Sequence, residues 1–332
     1  MAYFCMEIYL IFTLLKYIAE KNKRNTNLYP MQYQPLVSIL IPVYNMESFI
    51  EEALDSALNQ RYKNCEIILV DNHSTDNTLK VLEKYQSHPN LVIYKNTTNI
   101  GMLRNWNTCL SYAKGEYIKF LNADDVLHAD VISKYVDIMQ KNPGLSLITS
   151  SYTTFGSEEK TYTPPVTFGL IKGTEAILKS IASFNWIGSP TQVMFKRSDL
   201  TVGNFNIASN LWADWELWFK LLLIGDIYVI EESLTKFRVH SGQTSRDFDD
   251  GKTEVQTLNF IKSLTHYEPF HFCLPFLLDT IKRKQYELYE FGMSQFRRRN
   301  GKVARLLIKE SGSKYVSFFL VKYIYMKIKK FV

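Results

Sequence analysis

The segment Tyr117-Ile-Lys-Phe-Leu-Asn-Ala-Asp-Asp-Val126 joins a core strand to a cluster of charge. Its first half places large apolar residues in alternation and reads as a buried strand. That strand runs straight into Asp124 and Asp125. Adjacent carboxylates repel one another, and a cation between them relieves the repulsion. Hard oxygen ligands at a strand end suit Mg²⁺ or Mn²⁺ shared with a substrate's phosphates. The pair equally suits an acidic N-cap for a helix over residues 128–140, because Asp is favoured at such positions. Ala-Asp-Asp alone does not separate the two, so the flanking sequence has to.

Upstream, Val37 to Val43 is a short apolar run of the kind buried on both faces of a sheet. Pro42-Val-Tyr-Asn45 ends it, and residues 47–60 then carry Phe49, Ile50, Ala53, Leu54, Ala57 and Leu58 at helical spacing. Residues 66–70 predict a second strand stopped by Asp71-Asn-His-Ser-Thr-Asp76, residues 77–85 a helix, and 91–94 a third strand. Asn99 to Gly101 opens another helix that closes at Gly115, before the strand at 117–121. Alternation with short polar connections predicts an α/β fold with a mainly parallel sheet covered on both faces. Ligands bind beyond the carboxyl ends of such strands. Tyr44, Asp71, Asn99 and Asp124 all fall there, so they are expected to line one crevice.

Downstream the alternation loosens. A helix to Gln140, a strand at 145–150, a mobile loop over 155–167 and a helix at 175–182 are expected. They are followed by a strand at 192–196, an amphipathic helix from Asp214 to Ile224, and two strands at 227–230 and 236–240. From about residue 251 the chain reads as helical and basic, with 16 Lys+Arg against 6 Asp+Glu, so the basic excess belongs to this region and not to the Asp-containing body. It closes on residues 315–330, aromatic and cationic together, which suits a helix lying on an anionic membrane surface. The organisation expected is residues 1–35 as an apolar helix and linker, 36–250 as the α/β domain, and 251–332 as the helical C-terminal region. Ile8 to Leu15 is apolar but shorter than a membrane span, and it reads as a helix packed on the body or resting on a bilayer. The four cysteines form no close pair, which excludes a zinc ribbon or a disulfide framework and fits a reducing compartment.

Four motifs occur in one order: Val37-Ser-Ile-Leu-Ile-Pro-Val-Tyr-Asn45, Val70-Asp-Asn-His-Ser-Thr-Asp-Asn-Thr78, Asn99-Ile-Gly101 and Gly115-Glu-Tyr-Ile-Lys-Phe-Leu-Asn-Ala-Asp-Asp125. In that order they resemble family 2 glycosyltransferases across roughly residues 36–246. The resemblance implies a GT-A (Rossmann-like) α/β/α sandwich with a helical C-terminal extension. It also implies a nucleotide-diphosphate sugar donor, a divalent metal (Mn²⁺ or Mg²⁺), and transfer to an acceptor hydroxyl with inversion.

Carried over by position, the resemblance puts Pro42, Tyr44, Asn45, Asp71, Asn72, Asn99, Gly101, Asn107, Asp124 and Arg238 around the nucleotide sugar, a UDP-sugar first among the candidates. Asn72 stands where the family has the second of two Asp residues, and its amide supplies no charge. Asn122 stands where many relatives have Asp. Metal binding is therefore assigned mainly to Asp125, with Asp124 on the ribose or the metal and His240 as an imidazole ligand. Asp214, in Ala213-Asp-Trp-Glu-Leu-Trp218, matches the general base that inverting transfer needs, with Glu216 in reserve. Asp214 also suits a plain N-cap. Arg238 is expected to neutralise phosphate charge on the leaving group. Trp186, Pro190, Trp215 and Glu216 are expected on the acceptor side, where Trp186, Trp212 and Trp215 either stack on sugars or fill the core.

These expectations describe an enzyme of cell-surface polysaccharide or glycolipid assembly, peripheral on the cytoplasmic face of the membrane, acting on a saccharide or lipid-linked acceptor. A non-catalytic nucleotide-sugar-binding module of the same fold is the competing class, supported by Asn72 and Asn122. Nucleic-acid binding through the basic tail rests on charge alone. Phe318, Phe319 and Leu320 in that tail favour lipid instead.

Overall fold

The computed structural model describes residues 33–209, 212–243, 252–297, 301–312 and 315. Expectations for the apolar N-terminal run and for the tail beyond residue 315 lie outside them. The body begins at Leu36.

Strands β1 (Val37–Val43), β2 (Cys65–Asp71), β3 (Leu91–Lys95) and β4 (Tyr117–Phe120) pair in parallel, in the order β3-β2-β1-β4. Helices α1 (Ile50–Leu58), α2 (Thr78–Leu82) and α3 (Met102–Tyr112) make the crossovers. The period-2 geometry of a strand sorts side chains between the faces. Ile39, Ile41, Ile67 and Leu69 pack on one face with α1 and α4 (Val131–Lys141), while Leu40, Ile68 and Val70 pack on the other beneath α3. Each such side chain contributes about 1.5–3 kcal/mol by leaving water.

Beyond β4 the sheet becomes mixed. β9 (Met194–Lys196) runs antiparallel between β4 and β6 (Leu145–Gly156), and β6 pairs in parallel with β10 (Asp226–Val239). The short strands β5 (Val126–Leu127) and β8 (Gly169–Ile171) pair antiparallel with β10.

Two expectations need correction. The segment 155–167 is not simply a loop: β7 (Lys160–Tyr162) folds back antiparallel on β6, and Tyr162 stacks on Tyr152 with ring centroids 5.2 Å apart. Gly156, at φ +95°, supplies the turn that its glycine suggested, but it closes a hairpin. The two strands expected at 227–230 and 236–240 are one, β10, whose register shifts on either side of Ser233 absorb the exposed Glu231 and Glu232.

Helices α5 (Gly173–Ala182) and α6 (Ala213–Leu222) cover the second face of the sheet. The C-terminal helices α7 (Lys252–Leu264) and α8 (Leu274–Arg297) continue that core through Phe260, Ile261, Phe270 and Leu277, and α9 (Gly301–Glu310) packs on α8. The result is an α/β fold with a mainly parallel, curled central sheet and C-terminal helices. Among the described residues no helix is long and apolar enough to cross a membrane.

Candidate active site

The carboxyl ends of β1, β2 and β4 open on a cavity of about 450 Å³. Pro42 and Tyr44 come from the end of β1, Asn72 from β2, Asn99 and Gly101 from the loop before α3, and Asn122 and Asp124 from the end of β4. Pro190 and Asp214 close the far side. The crevice expected from the strand ends is therefore present, although Asp71 stands behind it. Asp71 is fully buried and accepts the Ser74 N–H at 3.1 and 3.3 Å, which fixes the loop after β2. Asn45 takes the left-handed conformation (φ +53°), and its Oδ1 accepts the Thr75 N–H at 2.8 Å. Asn and Asp tolerate that conformation best among residues with a side chain.

Asn72 belongs to a chain of amides. Its Oδ1 accepts from Asn96 Nδ2 and from the Ile100 N–H, both at 3.0 Å, and its Nδ2 donates to Asn99 Oδ1 at 2.8 Å. Asn99 Oδ1 also accepts the Gly101 N–H, and Asn105 anchors the chain to the Val70 carbonyl. Gly101 has φ +86°, which suits glycine where the chain turns into α3. Sequence reasoning missed Asn96 and Asn105. Three asparagines within ten residues, 96–105, were the signal available.

At the end of β4 the two aspartates part company. Asp125 is fully buried, and neither of its oxygens faces the cavity freely. Oδ2 accepts from the Thr191 hydroxyl at 2.6 Å and the Asn122 amide at 3.3 Å, and Oδ1 accepts the Arg238 N–H at 3.0 Å. Burial, and then the neighbouring Asp124 charge, push its carboxyl upward against those three donors. Lys119, buried in β4, donates to the Thr191 and Val193 carbonyls. Burial holds its ammonium well below the usual range, opposed by the Asp125 charge. The metal was expected mainly on Asp125, whose carboxylate here ties β4 to the 191 segment and to β10. Asp124 lines the cavity instead, with its Oδ2 3.1 Å from His240 Nε2. Among the described residues no group of three or more His, Cys, Asp or Glu is placed to hold a metal ion. One carboxylate and one imidazole fit a divalent ion only where a substrate's oxygens complete the shell.

Arg238 is also placed differently from the expectation. Its Nε donates to the Asp124 carbonyl at 2.9 Å, its Nη2 pairs with Glu52, and its guanidinium stacks over Phe155 and Phe49. It positions Asp124 from behind and does not line the cavity.

Asp214 stands in the first turn of α6, half-buried and facing the cavity. Its Oδ1 accepts the Trp215 N–H at 2.6 Å. Burial pushes its carboxyl up to about 7, against that hydrogen bond. A carboxylate that gains and loses its proton near neutrality has the character of a general base.

The remaining expected acceptor residues separate. Pro190 lines the cavity. Trp215 is core, with its indole N–H on Ser180 Oγ at 2.8 Å, and Trp186 is 4% exposed. Glu216 points away into a second cavity and pairs with Lys220. Asn107 exchanges hydrogen bonds with the Phe205 backbone instead of reaching a ligand. Residues that periodicity did not reveal also hold the site: Thr191 and Glu52 through contacts with distant Asp125 and Arg238, and Gln243 by accepting the His240 N–H in the turn after β10.

The model of glycosyl transferase family 2 matches residues 38–202. An uncharacterized glycosyltransferase of Rickettsia typhi is 31% identical over 256 residues, spanning 71% of this chain and 74% of that protein. The chain belongs to glycosyl transferase family 2. A glycosyltransferase of Haemophilus influenzae is 27% identical over 253 residues, spanning 71% of this chain and 76% of its own length. Among solved structures, TarS 1–349 of S. aureus in complex with UDP-GlcNAc superposes with a TM-score of 0.56 at 17% identity, covering 82% of this chain and 90% of that one. The mannosyltransferase PcManGT of Pyrobaculum calidifontis, in complex with GDP-Man and Mn²⁺, gives 0.53 at 18% identity and covers 89% of each chain. The family 2 fold described above is the GT-A fold of these neighbours.

Proposed function

We propose that this glycosyltransferase moves a sugar from a nucleotide-diphosphate sugar to an acceptor hydroxyl with inversion at the anomeric carbon. The observation that carries the reading is Asp214, a carboxylate poised near neutrality by burial and opening on the same cavity as Asp124 and the Asn72–Asn99 amides. The Trp215 N–H holds Oδ1, leaving Oδ2 to take the acceptor's proton. As that proton leaves, the acceptor oxygen bonds to the anomeric carbon, and the bond to the nucleoside diphosphate breaks with its electron pair on the phosphate. Attack from the side opposite the leaving group inverts the centre. Asp124 and His240 would hold Mn²⁺ or Mg²⁺, which supplies electrostatic stabilisation of the departing diphosphate. Tyr44 and the amide chain border the nucleoside.

The donor class is supported by the family and by the nucleotide sugars bound to the structural neighbours, UDP-GlcNAc in TarS and GDP-Man in PcManGT. Mn²⁺ accompanies GDP-Man in the latter. A role in surface polysaccharide or glycolipid assembly at the cytoplasmic membrane face draws on the aromatic and basic composition of residues 315–330. Deleting residues 312–332 is expected to shift the protein from membrane to soluble fractions, and unchanged partitioning would remove that part of the reading.

Calorimetric titration with a panel of nucleoside diphosphates and nucleotide sugars, in Mn²⁺ and in EDTA, tests the core of it. Metal-dependent binding of one nucleotide is expected, followed by transfer of its sugar to an acceptor. A folded sample that binds none of them is neither a transferase nor a donor-binding module.

A further inference from the structure

Helix α6 separates two cavities. Asp214 faces the one described above. Glu216, about 200° further round a helix of 3.6 residues per turn, faces the other together with Lys220. This second cavity, of about 500 Å³, is closed on its far side by α7 and the turn that follows it. Its size is ordinary for a small-ligand site, roughly 300–1,000 Å³.

Its lining has a definite chemistry. Phe260 and Phe270 form a buried apolar floor, and Trp212 and the 42%-exposed Tyr267 stand beside it. Gln256 and Asn259, one turn apart on α7, present side-chain amides that hold no partner among the described residues. Glu216 and Lys220 form an ion pair at 2.6 Å, with side chains only 16% and 17% exposed, and Glu216 also accepts from Asn206 and Ser209. Aromatic faces take the C–H faces of sugar rings, while the side-chain amides of Gln256 and Asn259 take pairs of hydroxyls. A phosphorylated ligand fits poorly, because among the described residues Lys220 is the one cation in the lining and Glu216 already neutralises it. A purely apolar ligand would strip water from the amides and the ion pair without replacing their hydrogen bonds.

We propose that this cavity is a second saccharide site that binds a neutral oligosaccharide segment. Its role in holding sugars of the acceptor remote from the reacting hydroxyl rests on the transferase reading; the binding itself does not.

The test titrates the full-length protein with chitotriose and with mannotriose, followed by saturation-transfer NMR and calorimetry. Saturable binding of at least one trisaccharide is expected. The double substitution Gln256→Ala with Asn259→Ala, and separately Tyr267→Ala, should each weaken it by about tenfold, while Asp214→Asn leaves it unchanged. These three residues are exposed or half-buried, so the substitutions leave the core intact. Failure of both trisaccharides to bind, or binding insensitive to the α7 and Tyr267 substitutions, overturns the proposal. Parallel titration with nucleotides separates the two readings. Nucleotide binding without trisaccharide binding sinks this inference alone. Trisaccharide binding that is lost in the cavity variants, in a protein that binds no nucleotide, sustains it and sinks the transferase reading.

Discussion

His240 Nε2 lies 3.1 Å from Asp124 Oδ2, bringing the end of β10 to the end of β4 across 116 positions of sequence. Beside them, Asp125 is turned inward and saturated by three donors. Two adjacent aspartates therefore have separate tasks, and isosteric amides distinguish them. Asp124→Asn should leave the melting temperature near the parental value while weakening Mn²⁺-dependent nucleotide binding by at least about tenfold. Asp125→Asn should instead cost about 1–3 kcal/mol of folding stability, because an amide cannot accept all three hydrogen bonds from Thr191, Asn122 and the Arg238 N–H. Thermal melts and metal titrations of the two variants check this. Equal loss of metal binding at unchanged stability would put Asp125 back in the coordination shell.

Asp214→Asn should lower the transfer rate by about 10²–10⁴ with little change in donor affinity. In the parental enzyme, a carboxyl held at about 7 predicts that kcat/KM rises with pH and levels off above neutrality. Stability follows with a determined sign. The folded-state value lies above the unfolded one of about 3.9, so Asp214's contribution is intact below pH 4 and is lost as pH rises through 7. Asp214→Asn should accordingly melt higher than the parent at pH 8 and match it near pH 3. A flat pH–rate profile would remove Asp214 as the base.

Much of this was legible in the sequence for a physical reason. β1, β2 and β4 are short, largely buried on both faces and punctuated by Pro42, Asp71 and Asp124, so their ends, and hence the crevice, follow from apolar runs and breakers. What was not legible depends on contacts between distant strands. Nothing local in Asp124-Asp125 says which side chain turns inward; Thr191 and the Arg238 backbone decide it. Trp215 and Glu216 sit on the same amphipathic helix as Asp214, but the packing of α7 against α6 buries one and gives the other to a separate cavity. Lys119 in a buried strand reads as a contradiction until the Thr191 and Val193 carbonyls supply its acceptors.

Arg238 grips the Asp124 carbonyl and stacks between Phe155 and Phe49, with centroid distances of 4.1 and 4.8 Å. Arg238→Lys keeps the charge but loses the planar fork and both stacking faces, at an expected cost of about 1–2 kcal/mol. Donor affinity should fall several-fold because the backbone carrying Asp124 loosens. Glu52→Gln should have the smaller effect, since that carboxylate is 58% exposed. Comparing melts and donor titrations of the two variants measures the contribution of each partner. Equal effects would mean that the ion pair, and not the stacked guanidinium, holds the site.

Asn72 stands where the family resemblance implies a carboxylate, and the amide chain explains why an acid is poorly accommodated. An amide accepts from Asn96 and Ile100 while donating to Asn99, which an ionised carboxylate cannot do. Asn99 Oδ1 also receives the Gly101 N–H, so Asn72→Asp would set two acceptors against each other at the entrance to α3. The expected loss is about 1–3 kcal/mol at pH 8. At pH 4 the loss should be smaller, because repulsion raises the new carboxyl's pKa above its unfolded value and a protonated acid regains a donor. Denaturant unfolding of parent and variant at both pH values measures the difference. A variant as stable as the parent at pH 8 would show that the amide chain rearranges freely, and that Asn72 is not fixed by its neighbours.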